Sequence, residues 1–387
     1  MMNLLKGMSR FTIILFTIIL VTVILFSPAM IFAQNSSVAD LNPPNSFNNE
    51  YSIGNQKSRL QSRGAYQETA QRIYYSVGIK YINLFDQARL RPVMLKIYYP
   101  YNKTSMSSLV IFSHGLGGSY ERCDYLGRRW ASEGMISVHI NHHGCDDSVW
   151  KNKIRPIREL KQIYPAFKSG RVHAGDVRFV LDELEFFSNV DSDLAARMDL
   201  SQIGVAGYDI GGLGALLLAG QQPPDRGESL YDERVKAVLV MSPPVYSTSH
   251  HALSVYNTIQ IPTFFVTGTE DNGVIGDTTA IQRRIPFDAM LKADRYLVTY
   301  QGADHMIYGG HFLSINGRND KPFQDNIARI SAIYWKAYLN GDTHAYNSFA
   351  RDSIGSLVNM GRIERKFPLV SEQPNLQARE ASDSVVY

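Results

Sequence analysis

The most constraining feature of this chain is a five-residue turn, Gly207-Tyr208-Asp209-Ile210-Gly211. A short apolar run, 203–206, comes before it, and a stretch of small and apolar residues, 211–220, follows it. This order predicts a buried strand, a sharp turn and a helix. Glycine is expected at 207 and 211 because a side chain there would block the turn and the close approach of strand and helix. Such elbows usually display a serine nucleophile at their centre, and here that position holds Asp209.

A second predicted strand, 109–113, leads into a glycine-rich turn, His114-Gly115-Leu116-Gly117-Gly118, which we call the oxyanion loop. Backbone amides in such a turn can point at an oxygen that develops negative charge during a reaction. The predicted donors are the amides of Leu116 and of Ile210, the residue after the elbow. Two loop glycines belong to this candidate site: Gly115 and Gly117.

Two further predicted strands end in turns that supply a carboxylate and a histidine. The run 261–268 is followed by Asp271, the predicted acid, and the run 296–300 is followed by His305, the predicted base. Together with Asp209, both residues fall just after the carboxyl ends of strands, where open α/β sheets build their sites. The sequence therefore predicts that these three side chains form one catalytic set.

Several neighbouring polar residues have competing interpretations. Glu270 is an alternative acid, although its spacing from the strand favours Asp271, and His311 is an alternative base that lacks the position at a strand end. Four residues after the predicted strand 135–141 could bind a metal or could simply be polar loop residues: His142, His143, Asp146 and Asp147. The loop interpretation is favoured, and no metal site is predicted.

Five segments carry a resemblance to a known family: LVIFSHGLGGSYERCDYLGRRWASEGMISVHINHHG, the elbow, FVTGTEDNGV, GADHMIYGGH and ISAIYWKAYLNGD. They resemble the bacterial dienelactone-hydrolase-like branch of the α/β-hydrolases, near the platelet-activating-factor acetylhydrolases and secreted polyester hydrolases. The resemblance covers about Tyr74 to Phe349. It implies an α/β-hydrolase fold, with a mostly parallel eight-stranded sheet between helices, and hydrolysis of carboxylic esters by a Ser-Asp-His set without a cofactor.

Transferred residue by residue, the resemblance puts Asp209 at the serine position, Asp271 as acid and His305 as base, with Leu116 and Ile210 as oxyanion donors. Aspartate departs from the family pattern. A carboxylate is a far better leaving group than an alkoxide, since its pKa is about 4, so its adduct with an ester carbonyl mostly collapses backwards. Attack on a saturated carbon that bears a halide or an epoxide oxygen instead gives a stable alkyl ester, which water activated by His305 can hydrolyse.

Three functions therefore stay open. The first expectation is an enzyme that hydrolyses a small ester-like substrate through Asp209, His305 and Asp271. The second is hydrolysis of an epoxide or an alkyl halide, although enzymes with that chemistry usually carry HGxP instead of HGLGG and insert a helical cap. The third is a catalytically inactive protein that binds a ligand or a partner.

The loops leave too little room for a large cap domain. The predicted sixth strand, 235–241, is followed at Ile261 by the seventh. A longer insertion, 145–172, could cover the pocket or could pack on the core surface through its aromatic side chains: Trp150, Tyr164 and Phe167. The chain has two cysteines, Cys123 and Cys145, which could form a disulfide or remain separate buried residues.

Composition and the termini give the domain organisation. Lys6 and Arg10 precede the apolar run 11–26, so residues 1–33 are predicted to be a signal peptide or a retained signal anchor. A flexible tether at 34–73, one domain at 74–350 and a C-terminal extension at 351–387 follow. The net charge of +3 and the scattered basic residues argue against nucleic acid as a partner. We expect an exported or membrane-anchored protein that acts on a small molecule.

Overall fold

The computed structural model describes residues 32–33, 74–187, 193–246, 251–309, 320–350 and 360–368. The predicted tether, nearly all of the predicted targeting segment and the polar tail 371–387 lie outside them. The strands are β1 Phe32–Ala33, β2 Val77–Asp86, β3 Arg91–Pro100, β4 Ser107–Ser113, β5 Ile136–His142, β6 Met198–Tyr208, β7 Val235–Met241, β8 Thr263–Glu270, β9 Arg295–Asp304 and β10 Gly361–Lys366. The helices are α1 Asp124–Ser132, α2 Pro156–Phe167, α3 Arg171–Phe187, α4 Ile210–Leu218, α5 Ala252–Tyr256, α6 Ile285–Ala289, α7 Lys321–Tyr338 and α8 Thr343–Ala350.

The structure is an α/β fold built on one mostly parallel sheet. Its strand order is β1-β2-β3-β5-β4-β6-β7-β8-β9-β10. Six neighbouring strands, from β5 to β9 in that order, run parallel, and the strands outside them pair antiparallel. β4 and β5 are buried along their whole length, as expected for parallel strands that helices cover on both faces.

The sheet of the described residues has ten strands instead of the expected eight. Both additions are edge strands: β1 pairs with β2, and β10 pairs with β9, with Gly361 opposite Tyr300. β10 lies in the predicted C-terminal extension, and its sequence Gly-Arg-Ile-Glu-Arg-Lys is too charged to stand out as a strand. It forms because Ile363 packs on the core while β9 offers a free edge.

Two hydrophobic cores lie on the two faces of the sheet. The apolar sides of α3 and α4 fill one core, and those of α1 and α7 fill the other. Trp130 of α1 and Trp335 of α7 meet edge to face with ring centroids 5.9 Å apart, and Trp130 Nε1 donates to Ser331 Oγ at 2.9 Å. Among the described residues, no helix is long and apolar enough to cross a membrane. The helices thus cover both faces of the sheet and leave its carboxyl edge for the loops.

Candidate active site

The elbow forms where β6 passes into α4. Asp209 has φ 53° and ψ −123°, a strained backbone conformation for a residue that is not glycine. Glycine is required on both sides of it: a Cβ on Gly207 would lie 2.3 Å from the Gly211 backbone, and a Cβ on Gly211 would lie 2.2 Å from the Ser113 carbonyl oxygen. This packing holds the Asp209 carboxylate, which is 15% exposed, at the carboxyl end of the sheet.

The structure brings Asp209, His305 and Asp271 together, and we call them the pocket triad. His305 Nδ1 lies 3.0 Å from Asp271 Oδ1, and His305 Nε2 lies 3.8 Å from Asp209 Oδ1. Asp271 is buried, whereas its neighbour Glu270 is exposed. His311, the alternative base, lies outside the described residues. The geometry therefore favours Asp271 over Glu270 as the partner of His305.

The oxyanion loop binds the Asp209 carboxylate. The Leu116 amide donates to Asp209 Oδ2 at 3.1 Å. Gly115 permits this approach, since a Cβ there would lie 2.7 Å from Asp209 Cβ. The Gly117 amide points elsewhere, to the Cys145 carbonyl oxygen at 2.8 Å. Ile210, the other predicted donor, is the buried first residue of α4. One predicted oxyanion donor is thus already occupied by a carboxylate oxygen of the protein.

Ser242, which sequence reasoning missed, supports the histidine and its acid. Its hydroxyl donates to Asp271 Oδ1 at 2.6 Å and lies 2.7 Å from His305 Nδ1. Ser242 directly follows β7 and has φ 51°. A polar residue at the end of a strand beside the elbow strand was a usable signal, because the carboxyl ends of parallel strands meet at the same edge.

Arg283, which was also missed, is a buried cation behind the pocket triad. Its side chain is 2% exposed. The guanidinium donates to the carbonyl oxygens of Asp271, Ser242 and Pro243 at 3.2, 3.0 and 2.6 Å. One guanidinium nitrogen lies 3.3 Å from His305 Nδ1, and Nε lies 3.4 Å from Asp271 Oδ1. The sequence carries no signal for it, because Arg283 and its half-buried neighbour Arg284 look alike in the sequence.

The protonation of Asp271 follows from these contacts. Burial alone would raise the pKa of Asp271, but the hydrogen bond with His305, the charge of Arg283 and the Ser242 hydroxyl together bring it below its usual value. Burial raises the pKa of Tyr208 well above its usual value. The Tyr208 ring packs 5.2 Å from that of His305, and its hydroxyl donates to the His305 carbonyl oxygen at 2.8 Å. Asp271 is therefore the charged partner of His305, and Tyr208 a neutral one.

A small pocket of about 40 Å³ opens over Asp209 and His305. Its lining includes the apolar side chains of Leu160, Val274 and Met306, and Arg122 adds a positive charge. The insertion thus contributes Leu160 of α2 to the pocket. The three aromatic residues of the insertion do not line the pocket: Trp150 donates to the Gly117 carbonyl oxygen, Tyr164 pairs with the Tyr246 hydroxyl, and Phe167 packs near His173.

A second hydrogen-bonded triad, Ser113, His142 and Asp176, lies behind the oxyanion loop, and we call it the buried triad. Ser113 Oγ lies 2.7 Å from His142 Nε2, and His142 Nδ1 lies 2.9 Å from Asp176 Oδ2. Arg89 and Arg91 pair with the Asp176 carboxylate at 2.7 and 3.0 Å. All three members are fully buried. Asp176 lies inside α3, which begins at Arg171.

Neither the metal alternative nor the disulfide is found. The described residues contain no group of three or more side chains that could hold a metal ion. Asp146 accepts from Asn141 and Ser148, and Asp147 pairs with Lys151. Of the two alternatives for Cys123 and Cys145, the structure has the separate buried residues: both are free thiols. Cys123 Sγ donates to the Tyr308 carbonyl oxygen at 3.2 Å, while burial raises the pKa of the Cys145 thiol.

A scan against models of known protein families and a search of curated proteins found no match to this chain.

Proposed function

We propose that this protein is a hydrolase with an α/β-hydrolase fold, in which Asp209 attacks a saturated electrophilic carbon of a small substrate such as an epoxide or an alkyl halide. The strand order from β2 to β9, the elbow after β6, the acid after β8 and the histidine after β9 support the fold. The described connection between β7 and β8 contains only α5, a five-residue helix, which supports the absence of a large cap.

One observation carries the choice of substrate: the Leu116 amide holds Asp209 Oδ2. In ester hydrolysis by acyl transfer, that amide would have to receive the carbonyl oxygen of the substrate. Here the carboxylate of the protein occupies it, which leaves Oδ1 as the free nucleophilic oxygen on the side of His305. The arrangement suits a reaction in which Asp209 forms an ester with the substrate and the oxyanion loop binds the carbonyl oxygen of that ester.

The reaction then has two steps. In the first, Asp209 Oδ1 attacks the electrophilic carbon, and the carbon's bond to halide or to epoxide oxygen breaks with its electron pair on the leaving atom. The positive charge of Arg122 in the pocket favours that departing anion. In the second, His305 Nε2 takes a proton from water, and the water oxygen attacks Asp209 Cγ.

The second step uses the oxyanion loop. Negative charge develops on Asp209 Oδ2, where the Leu116 amide stabilises it. As the adduct collapses, protonated His305 returns its proton to the departing oxygen, which leaves as the alcohol, and the carboxyl group loses its remaining proton to solvent to restore the carboxylate. Because water attacks the carboxyl carbon, one oxygen of the regenerated carboxylate comes from solvent. Asp271 holds the proton-bearing Nδ1 of His305 and stabilises the imidazolium that forms.

Hydrolysis of a small carboxylic ester is the second candidate. The HGLGG sequence of the oxyanion loop and the short connection between β7 and β8 favour it, since they fit the ester-hydrolase resemblance. Ester hydrolysis would require Asp209 to leave the Leu116 amide or to act as a base for direct attack by water. We also propose export, on the basis of the N-terminal charge and the apolar run, and a small molecule as the reaction partner.

The two candidates separate in one set of assays. We would measure turnover of 1,2-epoxybutane, 1-bromobutane and p-nitrophenyl acetate by the purified wild type and by Asp209→Ala and Asp209→Ser. The proposal predicts wild-type turnover of the epoxide or the bromide, lost by about 10³-fold or more in both variants. Wild-type hydrolysis of the ester alone, lost in Asp209→Ala, would replace it with the second candidate. No turnover of any probe would favour a binding protein.

A further inference from the structure

Aspartate at the elbow creates an electrostatic problem that serine would not. His305 lies between two carboxylates, with Asp271 Oδ1 3.0 Å from Nδ1 and Asp209 Oδ1 3.8 Å from Nε2. An opposite charge within about 4–6 Å favours the charged form of a titratable group. Two carboxylates would hold His305 as an imidazolium, and an imidazolium cannot take a proton from water. With only these three residues, His305 would be protonated before the reaction and could not act as the base.

The buried guanidinium of Arg283 lies where it opposes that effect. It is 3.3 Å from His305 Nδ1 and 3.4 Å from Asp271 Oδ1. Protonated His305 would place two cations in contact. The guanidinium of Arg283 also partly neutralises the Asp271 charge that would otherwise stabilise the imidazolium. With neutral His305, the two carboxylates and one guanidinium leave a single negative charge, as in a serine, histidine and aspartate set.

We propose that Arg283 is a positioning residue that offsets the second carboxylate and so keeps His305 unprotonated and able to act as the base. This inference rests on the proposed roles of Asp209 and His305. Arg283 acts through His305 and does not line the pocket. Its hydrogen bonds to three backbone carbonyls fix its distance from the imidazole, so the charge is held in place by the fold.

The other groups around His305 do not supply this charge. Ser242 from the end of β7 and Tyr208 from the end of β6 are neutral neighbours of the ring. His114 of the oxyanion loop and Arg122 line the same pocket as His305. Burial lowers the pKa of His114, which therefore adds no charge near neutral pH. On the Asp271 side of the imidazole, the cation in contact is Arg283, with a guanidinium nitrogen 3.3 Å from Nδ1.

The test is the titration of His305 in the full-length protein, followed by NMR of ¹⁵N-labelled imidazoles and assigned with His305→Gln. We expect wild-type His305 to be neutral at pH 7. In Arg283→Gln it should gain its proton at a pH about one unit higher or more. Arg283→Lys, which keeps the charge, should restore much of the wild-type titration. Arg284→Gln is the matched control, because that guanidinium pairs with Asp288 and Glu364, away from the site.

Turnover gives the second readout. If the proposed reaction occurs, the acid limb of the pH–rate profile in Arg283→Gln should move to higher pH by the same interval, and the rate should recover above it. Loss of rate at all pH values, with an unchanged titration, would indicate a purely structural role and overturn the proposal. Wild-type His305 already protonated at pH 7 would also overturn it, even if Arg283→Gln did not fold. Because the titration needs no substrate, it stands apart from the failure of the proposed reaction.

Discussion

Two triads of similar chemistry lie on either side of the oxyanion loop, and the one with the shorter hydrogen bonds is not the candidate active site. In the buried triad the histidine lies 2.7 Å from the serine and 2.9 Å from the aspartate. In the pocket triad the histidine lies 3.0 Å from Asp271 and 3.8 Å from Asp209. Ser113, His142 and Asp176 are nevertheless fully buried, while Asp209 and His305 line a pocket. Hydrogen-bond geometry alone does not identify a catalytic set, since access decides which one can meet a substrate.

Charge separates the two triads as well. Asp176 in the buried triad faces two guanidinium groups, of Arg89 and Arg91. The pocket triad has two carboxylates and a single guanidinium, that of Arg283, and the Nε2 side of its histidine faces the pocket. A surplus of positive charge keeps a buried histidine neutral, whereas a near balance lets a histidine exchange protons during a reaction. The first arrangement suits a structural role and the second suits a base.

The buried triad holds the oxyanion loop in place. The His142 amide donates to His114 Nε2 at 3.0 Å, and His114 Nδ1 donates to the Gly115 carbonyl oxygen at 2.8 Å. Ser113 directly precedes the loop, and its carbonyl oxygen packs against Gly211 of the elbow. The loop that binds Asp209 is therefore fixed from behind by the backbone of two buried residues, Ser113 and His142.

The largest stability difference should come from the same substitution made in each triad. Asp176→Asn replaces a buried carboxylate by a neutral amide opposite two partly exposed guanidinium groups and should lower the free energy of unfolding by about 1.5–3 kcal/mol. Asp209→Asn removes a carboxylate from a site that holds two, so we expect little loss of stability but loss of turnover. Urea unfolding and activity assays measure both effects.

A surface variant calibrates this comparison. Asp225→Asn removes the partner of Arg171 from a largely exposed ion pair and should change stability by less than about 1 kcal/mol. If Asp176→Asn were no more destabilising than Asp225→Asn, the structural role of the buried triad would be wrong.

A smaller effect should appear as a pH dependence of stability. Burial first, and then neighbouring positive charge, lower the pKa of His142 and of His173, and burial lowers that of His114. In the unfolded chain these imidazoles gain protons below about pH 6.5, while in the fold they stay neutral. The contribution of these histidines to the free energy of unfolding should therefore be constant above pH 6.5. At lower pH it should decrease, by about 1.4 kcal/mol per pH unit for each histidine.

His173→Phe tests the contribution of one of these histidines. In the described structure neither ring nitrogen of His173 has a hydrogen-bond partner, so phenylalanine removes a titrating group without removing a hydrogen bond. Unfolding measured between pH 7.5 and 5.5 should match the wild-type slope near pH 7.5 and, below pH 6.5, become shallower than in the wild type by up to about 1.4 kcal/mol per pH unit. An unchanged slope in His173→Phe would contradict a neutral, buried His173.

The parts predicted from sequence are those with a local signal. Val235–Met241 forms a strand at the predicted residues, and the elbow, Asp271 and His305 meet because each follows a buried apolar run. Arg283 and the buried triad could not be predicted, since their members come from distant segments and are brought together only by packing. The extra strand β10 was missed for a similar reason, because its partner edge exists only in the folded sheet.

The most direct test of the central claim is to trap the alkyl ester on Asp209. His305→Gln should still permit attack by Asp209 but remove the base that activates water, so the protein should gain the mass of the alkyl group when treated with 1-bromobutane or 1,2-epoxybutane, and peptide mapping should locate it on Asp209. His142→Gln should not accumulate the adduct, because the buried triad takes no part in hydrolysis. No added mass in His305→Gln, or an adduct on a residue other than Asp209, would contradict the account.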